Sequence, residues 1–472
     1  MPHPFPIIEK NKSDALPIYI VYAKNYGAWF KQQPSIIRHW LKANSFKGTA
    51  GSFCLLPAKD GTLAGVACGA DDKLDIWSLA HLPARLPAQP YYIKGKFTPQ
   101  QVTQMALGWA LATYKFTRYK SPHYTPPASG GRRRGEPATL VAPKGCDVRY
   151  VKAMAESIGW ARDLINTPAN DMNPEALAAE AVTFAHEYDA KVSVTKGEAL
   201  LRANYPMIYA VGKASQVPPH LVDIKFPNRN APKVTLVGKG VCFDSGGLDI
   251  KSTSNMKLMK KDMGGAAVVL ALAKAIVETK LPVQLRVILP IVENAVGSRA
   301  MRPLDIVPTR KGITVEIGNT DAEGRLILCD ALYEADDEKP DLLIDCATLT
   351  GAARVALGTD IPAFFTSDDR LAGDVMKAAN AQHDPLWRLP LWKDYRSQLD
   401  TKAADLSNDP DSSYGGAITA ALYLQEFVSR TFSWLHIDMM AWNLKDRPGR
   451  PQGGEAMAVR ALYALIKERY GR

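Results

Sequence analysis

Residues 319–326 read Asn-Thr-Asp-Ala-Glu-Gly-Arg-Leu, and the rest of the chain is organised around this segment. Asp321 and Glu323 stand one residue apart, and in a non-helical segment that spacing directs both carboxylates to the same side. Two like charges held together need a compensating cation. The candidates for that cation are a metal ion and the guanidinium of Arg325.

A second segment upstream bears on that choice. Residues 237–251 read Val-Gly-Lys-Gly-Val-Cys-Phe-Asp-Ser-Gly-Gly-Leu-Asp-Ile-Lys, and residues 259–267 read Met-Lys-Lys-Asp-Met-Gly-Gly-Ala-Ala. Both are dense in glycine, acids and lysine where a buried strand would be apolar. The charged positions of interest here are Lys239, Asp244, Lys251 and Asp262. Such a composition is typical of a functional site.

A purely structural interpretation is a buried ion-pair network. It would join Lys239, Lys251 and Arg325 to the carboxylates of 244, 262, 321 and 323. Burying that many charges without a function costs several kcal/mol for each imperfect pair, so the functional interpretation is favoured. The argument rests on the joint spacing, since any one of these acids alone would be unremarkable.

Together these segments resemble the leucyl aminopeptidase family, the two-metal cytosolic aminopeptidases. The likeness includes Arg-Asp-Leu-Ile-Asn-Thr-Pro-Ala-Asn at 162–170 and Ala-Thr-Leu-Thr-Gly-Ala at 347–352, and it is close from about residue 161 to the C-terminus. Before about residue 150 only position and approximate length are family-like. The segment 449–457 does not align cleanly with the family residues that close the substrate pocket, so the resemblance leaves the side-chain preference open.

The resemblance implies a role for each candidate residue. Asp244 and Glu323 would bridge two divalent cations, Asp321 would complete one metal site, and Lys239 with Asp262 would complete the other. The catalytic residues implied are Lys251, which would polarise the scissile carbonyl and stabilise the gem-diolate, and Arg325, which would hold a bicarbonate ion as general base. The substrate-binding positions implied are Met259, Thr348 and Gly351 around the first side chain and the Leu349 carbonyl.

Other hydrolase and nucleotide-binding patterns fit poorly. No His-Glu-x-x-His is present and all eight histidines lie apart from the acidic motifs, which excludes a zincin. Residues 243–247, Phe-Asp-Ser-Gly-Gly, resemble the nucleophile segment of chymotrypsin-like proteases, but that reading needs a β-barrel fold and an upstream histidine context. Ser245 is better interpreted as a turn residue. Gly238-Lys239-Gly240 lacks the remainder of a phosphate-loop pattern.

Composition indicates a globular, two-domain protein. The chain has 472 residues, of which 46% are hydrophobic and 22% charged, too many for one ordinary core. No apolar run reaches about 18 residues and the first residues lack a signal-peptide pattern, so we expect a cytoplasmic protein with no membrane partner. The six cysteines fall mostly inside apolar runs with no Cys-x-x-Cys pair, which favours reduced, buried thiols.

The positive charge is concentrated in the first third of the chain. The net charge is +10, and residues 1–150 hold 20 Lys and Arg against 8 Asp and Glu. One interpretation is polyanion contact, with Arg132, Arg133 and Arg134 gripping phosphate. This is the basis of the alternative function, a nucleic-acid-binding protein, since some family members also bind DNA. A solvated surface is the favoured interpretation because no nucleic-acid-binding motif is present.

Periodicity predicts an α/β fold. We expect a smaller N-terminal basic α/β domain (1–148), a linker helix (149–166), and a larger C-terminal catalytic domain (167–472) with a central, mainly parallel sheet sandwiched by helices. Strands are predicted at 17–23, 48–69 (a pair around the Asp60-Gly61 turn), 191–195, 234–238, 283–292, 342–347 and 435–439. Helices are predicted at 100–114, 150–165, 173–188, 265–279, 326–335, 417–428 and 456–467. Ligands of such sheets collect beyond the C-terminal strand ends, where Lys239 and residues 348–351 would lie.

The sequence therefore predicts a metal-dependent aminopeptidase that removes leucine and other apolar residues from the N-termini of peptides. Two divalent cations per subunit, manganese or zinc, are the expected cofactors, with bicarbonate as general base. Carboxylate and lysine ligands do not select one metal by themselves. A homohexamer is implied by the family resemblance alone.

Overall fold

The computed structural model describes residues 5–8, 14–121, 137–228, 230–429 and 433–471. These form two compact units, one built from residues up to 159 together with 445–451, the other from residues 160–444 and 452–472. The division falls inside the helix Val148–Asn166, which covers the predicted linker helix at 150–165. The domain boundaries at 148 and 166 stay a prediction. Arg132, Arg133 and Arg134 lie outside the described residues.

The first unit contains a six-stranded sheet. Its strands are β1 (Ile7–Ile8), β2 (Leu16–Tyr22), β3 (Phe53–Pro57), β4 (Leu63–Ala70), β5 (Pro90–Lys94) and β6 (Thr139–Val141), in the order β1-β6-β5-β2-β4-β3. The helices are α1 (Tyr26–Lys31), α2 (Ser35–Ala43), α3 (Pro99–Leu111) and α4 (Val148–Asn166). Only the β3-β4 pair is antiparallel, and it flanks the predicted Asp60-Gly61 turn. This confirms the predicted α/β character and the hairpin.

Helix α3 shows how local sequence defines an element in this unit. Thr98 accepts a hydrogen bond from Gln101 N (3.2 Å) and Gln101 Oε1 accepts one from Thr98 N (3.0 Å), forming a capping box with Pro99 at the first helical position. Trp109 is buried on the same helix and donates to the Ala138 carbonyl at 3.1 Å. The helix is thereby attached to the chain that enters β6.

The second unit is larger. Its strands are β7 (Lys191–Lys196), β8 (His220–Lys225), β9 (Lys233–Gly238), β10 (Gly240–Asp244), β11 (Gln284–Asn294), β12 (Ile306–Pro308), β13 (Thr314–Glu316), β14 (Leu342–Ala347), β15 (Ala363–Phe365), β16 (Trp387–Arg388), β17 (Leu406–Ser407), β18 (Ser433–Asp438), β19 (Trp442–Asn443) and β20 (Gly453–Gly454). Its helices are α5 (Pro174–Glu187), α6 (Ala199–Arg202), α7 (Pro206–Gly212), α8 (Thr253–Met256), α9 (Gly264–Glu278), α10 (Glu323–Asp336), α11 (Gly351–Leu357), α12 (Asp369–Gln382), α13 (Gly416–Gln425) and α14 (Val459–Tyr470). The described residues also include the 3₁₀ helices Ala23–Asn25, in the first unit, and Met259–Met263 and Lys393–Leu399 here.

The central sheet of this unit has nine strands, in the order β16-β15-β18-β14-β9-β11-β8-β7, with β10 paired to β11. The pairs β18-β14, β14-β9, β9-β11 and β10-β11 are parallel. The pairs β11-β8, β8-β7 and β15-β18 are antiparallel. The prediction of a mainly parallel sheet is therefore confirmed. Strand β14 is buried along its whole length, as expected for a strand covered on both faces.

Several elements were not predicted. Strand β10 is the most informative, because its charged and glycine-rich surroundings indicated a site rather than a strand. It forms because its backbone pairs in parallel with β11 from Gly240 to Asp244, so tertiary pairing overrides local composition. Strand β8 and helices α7, α11 and α12 were also missed. The predicted start of α5 is confirmed, with Asn173 capping the helix and Pro174 at its first position.

Two further predictions concerned reduced, buried cysteines and the lack of a long apolar run. All six cysteines are free; Cys146 is half-buried and the others are buried. Within the described residues, no helix is both long and apolar enough to cross a bilayer.

Candidate metal centre and active site

The candidate residues meet at the carboxyl edge of the central sheet. Lys239 directly follows β9, Asp244 ends β10, and Glu323 opens α10. The segment 348–351 follows β14, which is the neighbour of β9. The carboxyl ends of parallel strands share one edge, so residues far apart in sequence come together, as predicted.

Lys239 lies between two carboxylates. Its Nζ is 2.6 Å from Asp262 Oδ2 and 2.9 Å from Glu323 Oε1, and it donates to the Thr348 carbonyl at 3.2 Å. All of these groups are buried. Gly324 provides the room, since a Cβ on this residue would lie 2.6 Å from Lys239 Cε. The close approach of the lysine to α10 therefore requires glycine at position 324.

Lys251 occupies a second, similar position. Its Nζ is 2.8 Å from Asp244 Oδ2 and also contacts Asp321 Oδ1. The turn that brings Lys251 back to Asp244 passes through Gly246, whose φ is +90°, a conformation that side chains rarely adopt. A Cβ there would lie 2.4 Å from the Asp249 carbonyl. The two lysines thus each stand between a pair of the predicted acidic ligands.

The carboxylates fit a centre of cations. Ligand atoms of Asp244, Asp262 and Glu323 lie within 4.8 Å of one another, and all three side chains are buried. The buried atoms Asp262 Oδ2 and Glu323 Oε1 accept no well-directed hydrogen bond despite the nearby ammonium group. Together with Asp321, four carboxylates face two ammonium groups at close range, those of Lys239 and Lys251, and a third, that of Lys261, at 3.9 Å, so the acids outnumber the lysines. Hard oxygen donors in such a surplus suit divalent cations.

The electrostatics of the cluster reflect this imbalance. Burial and the charge of Asp244 raise the pKa of Glu323 to about 8 and that of Asp321 to about 6. Burial opposes ionisation of Asp262, but Lys239 and Lys261 outweigh it and lower its pKa. Burial would lower the pKa of Lys239, but Asp262 and Glu323 reverse the effect and raise it. The lysines therefore do not offset the buried negative charge at Asp321 and Glu323, whose pKa values stay raised.

Several residues that hold the site together were not predicted. Asn294, at the end of β11, donates to Asp244 Oδ1 (2.9 Å) and to the Thr320 carbonyl (3.0 Å). The Thr320 hydroxyl donates to the Gly246 carbonyl (2.6 Å). Asp438, at the end of β18, accepts from Leu349 N (3.0 Å) and from the Thr350 hydroxyl (2.6 Å). A polar residue ending a buried strand was the only available signal for Asn294 and Asp438.

The predicted catalytic arginine and the predicted substrate-binding residues belong to segments that adjoin the cluster residues in the chain. Arg325 is buried one residue beyond Gly324 and donates to the Asn408 carbonyl at 2.7 Å, while its Nε has no hydrogen-bond partner among the described residues. Burial lowers its pKa, against the opposing charge of Asp409. Met259 is buried at the start of its 3₁₀ helix, and Gly351 begins α11.

Thr348 has a more specific position than the sequence indicated. Its hydroxyl donates to Asp262 Oδ1 at 2.7 Å and lies 3.0 Å from the Asp262 carbonyl, and its own carbonyl accepts from Lys239. The side chain is buried. Thr348 therefore orients a predicted ligand in addition to its predicted place beside the substrate.

A third lysine lies beside the cluster. Lys261 is 1% exposed, and its Nζ has no hydrogen-bond partner within the described residues. Its closest carboxylate oxygen is Asp262 Oδ1, at 3.9 Å. Burial lowers the pKa of Lys261 to about 8, with Asp262 opposing and the charges of Arg354 and Lys239 acting in the same direction as burial.

Comparison with known protein families gives two matches. The cytosol aminopeptidase family catalytic domain matches residues 159–463. The M17 aminopeptidase N-terminal domain matches residues 16–126. The first match alone covers well over half of the chain and contains every candidate site residue.

Individual relatives agree with these matches. A probable cytosol aminopeptidase from Rhodococcus jostii is 35% identical over 447 residues, covering 91% of this chain and 88% of the relative. Peptidase B from Cronobacter sakazakii is 45% identical over 319 residues, covering 66% and 74%. The crystal structure of a cytosol aminopeptidase from Coxiella burnetii has a TM-score of 0.92 and 44% identity, covering 98% of this chain and 99% of that one. The bottromycin maturation enzyme BotP in complex with Mn has a TM-score of 0.85 and 31% identity, covering 97% and 100%.

Proposed function

Because the chain belongs to the cytosol aminopeptidase family and is an aminopeptidase, a hydrolase of peptide bonds, we propose that it works with two divalent cations. We further propose that it removes leucine and other apolar residues from the N-termini of peptides. The proposal assigns Lys239, Asp244, Asp262, Asp321 and Glu323 to the metals.

The observation that carries this proposal is the charge imbalance of the buried cluster. Four carboxylates face two ammonium groups at close range and a third, that of Lys261, at 3.9 Å, and among the described residues the buried atoms Asp262 Oδ2 and Glu323 Oε1 accept no well-directed hydrogen bond. A buried excess of negative charge is costly unless cations offset it. The related structure described as being in complex with Mn supports manganese over zinc, the other metal that the sequence led us to expect.

The residues have distinct roles in the proposed reaction. When bound, a pair of divalent cations supplies Lewis acidity and lowers the pKa of the attacking water. The compact ammonium group of Lys251 would donate a hydrogen bond to the oxygen of the scissile carbonyl as negative charge develops on that oxygen. The Leu349 carbonyl would receive the substrate, and Asp438 holds that part of the backbone by accepting from Leu349 N at 3.0 Å.

Arg325 is proposed to hold bicarbonate, which would take the proton from the attacking water. Its guanidinium is buried beside the cluster, and its Nε has no hydrogen-bond partner among the described residues. The carboxylates of the cluster are all assigned to metal, so none of them is free to act as base. A bidentate anion such as bicarbonate suits a planar guanidinium.

The preference for apolar first residues rests on the neighbours of the cluster. Met259 is buried and Leu349 is half-buried against the main core of this unit. With Thr348 and Gly351 they would form an adaptable apolar wall for the first side chain. Peptides are the substrates that fit an aminopeptidase with such a pocket.

We further propose that the chain forms a homohexamer in the cytoplasm. Several large apolar side chains are exposed on the second unit, namely Val355 (90%), Tyr414 (83%), Trp387 (55%) and Trp392 (54%). Helix α13 packs against both α11 and the 3₁₀ helix 393–399. Val355, Trp392 and Tyr414 lie on or next to these three helices, so they belong to one region of the unit. Exposed apolar surface of this kind is typical of protein interfaces. The cytoplasmic location follows the names of the relatives.

Metal-dependent hydrolysis tests the central proposal. Protein purified without chelator should contain about two divalent cations per chain by elemental analysis, as expected for a two-metal site. It should cleave leucine p-nitroanilide, lose activity on dialysis against chelator, and regain it with manganese or zinc. Full activity in metal-free protein would overturn the proposal. The homohexamer is tested separately, by size-exclusion chromatography with light scattering.

Nucleic-acid binding gains no support from the comparisons. The basic first third remains its only basis, and Arg132, Arg133 and Arg134 lie outside the described residues. If DNA binding by counterion release occurs, affinity should fall steeply with salt and replacement of these arginines should flatten that dependence. No mobility shift at low salt would leave a solvated basic surface as the explanation.

A further inference from the structure

Two segments that the proposed chemistry does not use meet in the structure. They are the family-like motif 162–170 and the segment 449–457, which does not align cleanly with the family. We propose that contacts between them form a clamp that fixes the 3₁₀ helix Met259–Met263 and thereby positions the proposed ligand Asp262. This inference rests on the proposed two-metal site and adds positioning residues to it. The clamp consists of Arg162, Asn166, Lys260, Asn443 and Glu455.

The centre of the clamp is a buried ion pair. Arg162 is fully buried and donates to both carboxylate oxygens of Glu455, from Nη2 at 3.1 Å to Oε1 and 3.0 Å to Oε2, and from Nε at 3.2 Å to Oε1. The same carboxylate accepts from Asn443 Nδ2 (2.6 Å) and from Ala456 N (3.0 Å). A charge-assisted pair with several donors has a defined geometry. Arg162 and Glu455 therefore hold their two segments in one arrangement.

This ion pair supports a hairpin that is too short to be stable alone. Strands β19 and β20 have two residues each and form a separate two-stranded sheet, with Asn443 of β19 opposite Gly453 of β20. A two-stranded hairpin is marginally stable in water unless it packs against other elements. The carboxylate of Glu455 binds Asn443, and Glu455 itself directly follows β20. The contact with Arg162 therefore acts on both strands.

Asn166, the last residue of α4, connects the hairpin to the 3₁₀ helix. Its side-chain oxygen accepts from Gly454 N at 2.8 Å, and its backbone carbonyl accepts from Lys260 Nζ at 2.6 Å. The two glycines of β20 permit this approach. A Cβ on Gly453 would lie 2.6 Å from Asn166 Oδ1, and a Cβ on Gly454 would lie 2.7 Å from Ile165 Cβ. One residue of α4 thus binds both the hairpin and the 3₁₀ helix.

The 3₁₀ helix is held on both sides of the proposed ligand. Two residues before Asp262, the ammonium of Lys260 also lies 5.5 Å from the centre of the Trp442 ring. Two residues after Asp262, a Cβ on Gly264 would lie 2.4 Å from Ala441 Cβ, so the chain that enters the hairpin packs directly on this position. Hydrogen bonds within a 3₁₀ helix have poorer geometry than those of an α-helix. The position of Asp262 therefore depends on these outside contacts.

A purely structural clamp would affect stability alone. Manganese binding separates the two explanations, because a displaced ligand weakens the site that contains it. Lys260→Met is the most informative variant, since it cuts the link to the 3₁₀ helix and leaves the pair of Arg162 and Glu455 intact. It also removes a positive charge two residues from a proposed ligand, a change that by charge alone would strengthen cation binding. Weaker binding would therefore report position and not charge.

The experiment titrates metal-free protein with manganese by calorimetry, with thermal unfolding and kcat/KM on leucine p-nitroanilide measured for each variant. We expect two manganese sites in wild type. Lys260→Met and Glu455→Gln should each weaken one of the two by about tenfold, the lower end of the loss expected for residues that orient metal ligands. Lys260→Arg keeps a donor and the charge, so it should retain most of the affinity. Lys260→Met decides the question even where Glu455→Gln does not fold.

Arg286→Met is the matched control for the loss of an ion pair. Arg286 lies 2.7 Å from Asp223 and 2.7 Å from Glu334, in a network built on other elements of the same unit. The change should lower the melting temperature and leave both manganese affinities as in wild type. A general loss of stability is thereby distinguished from a displaced ligand.

Three results would overturn the proposal. Manganese affinity of Lys260→Met equal to or above that of wild type would show that the clamp does not position the ligand. A Glu455→Gln protein that melts at lower temperature with both affinities unchanged would make the ion pair structural only. In both cases the proposed function stands, because wild type still binds two cations. Wild type that cleaves the substrate without binding manganese or zinc would remove the metal site itself, and the proposed function would fail as well.

Discussion

Two charge networks in the second unit, one partly exposed and one buried, differ in their balance. In one, Arg286, Arg310 and Lys225 meet Asp223, Glu334 and Glu338, so three cations face three acids. In the other, the acids 244, 262, 321 and 323 outnumber the two lysines that contact them closely. Helix α10 contributes to both, with Glu334 near its end and Glu323 at its start. The same helix therefore contributes acids to a balanced and to an unbalanced set of charges.

The pKa values show what this difference means. Burial opposes the ionisation of Glu334, but hydrogen bonds and charges from Arg286 and Arg310 outweigh it and lower its pKa. Glu323 is buried among further acids, and its pKa is raised to about 8. A network completed by its own residues stabilises its charges, whereas a network short of cations does not. An unbalanced buried cluster thus indicates a site that binds something from outside the chain.

The largest expected effect is the loss of a proposed bridging ligand. Losing a residue that only hydrogen-bonds to a metal ligand costs up to about 100-fold in activity. Glu323→Gln removes a proposed ligand itself, so it should reduce turnover by more than that and should empty the metal site. The metal-free variant should remain folded, because the change removes one of several mutually repelling acids. Activity, elemental analysis and thermal melting measure these effects.

Glu334→Gln is the matched control on the same helix and should retain metal and turnover. A Glu323→Gln protein with two bound cations and near-normal rate would show that the imbalance has no relation to metal. In wild type, saturating metal at about 100 times Kd should add about 2.7 kcal/mol to the free energy of unfolding. Glu323→Gln should show much less of that gain.

Breaking the balanced network should affect stability instead. Arg286→Met leaves Asp223 and Glu334 without their shared guanidinium, now 2.7 Å from each, and should lower the free energy of unfolding by about 3 kcal/mol. Metal content and turnover of the folded protein should change little. Urea unfolding of this variant beside Arg302→Met, which disrupts an exposed pair with Asp305, provides the comparison. Equal stability of the two variants would contradict a structural role for the balanced network.

Arg325→Ala is expected to act on rate alone. Turnover should fall by about 100-fold, as for loss of a general base, while both cations stay bound. Bicarbonate added to degassed buffer should raise the rate of wild type and do little for the variant. The same bicarbonate response in both proteins would remove Arg325 from this role.

The smallest effect concerns acid stability. The folded pKa of Glu334 is depressed below its ordinary value of 4.5, so its ionised form stabilises the fold. The difference in free energy of unfolding between wild type and Glu334→Gln should be complete above pH 4.5 and shrink as pH falls through the depressed folded pKa. Urea titrations at a series of pH values measure it. A difference that does not change with pH would mean that the ion pairs contribute nothing.

The sequence predicted much of the fold where the pattern is local. Strand β14 (Leu342–Ala347) has the predicted bounds because five of its six residues are apolar, and α5 begins at Pro174, one residue after the predicted start at 173. Strand β10 was missed because glycine and charged residues surround it in the sequence, and only its pairing with β11 makes it a strand. Local pattern therefore succeeds where propensity and packing agree, and fails where function sets the side chains.

The candidate site was predictable in composition but not in its internal arrangement. The assignment of Lys239, Asp244, Asp262, Asp321 and Glu323 depends on motif spacing and on family resemblance, and the structure brings them to one edge of the sheet. Nothing in the spacing indicated that Asn294 holds Asp244, a contact across 50 residues. The same holds for Asn408, which accepts from Arg325 across 83 residues.

The sequence by itself determined the α/β class, the acidic and lysine-rich motifs and the family to which they belong. Only the tertiary structure decided which charges pair, which acids stay in excess and which amine, that of Lys261, has no hydrogen bond among the described residues. The physical reason is that periodicity and capping act over a few residues, whereas the energy of a buried charge depends on every atom packed around it. Those atoms come from strands and helices distant in sequence, and only their packing defines the environment.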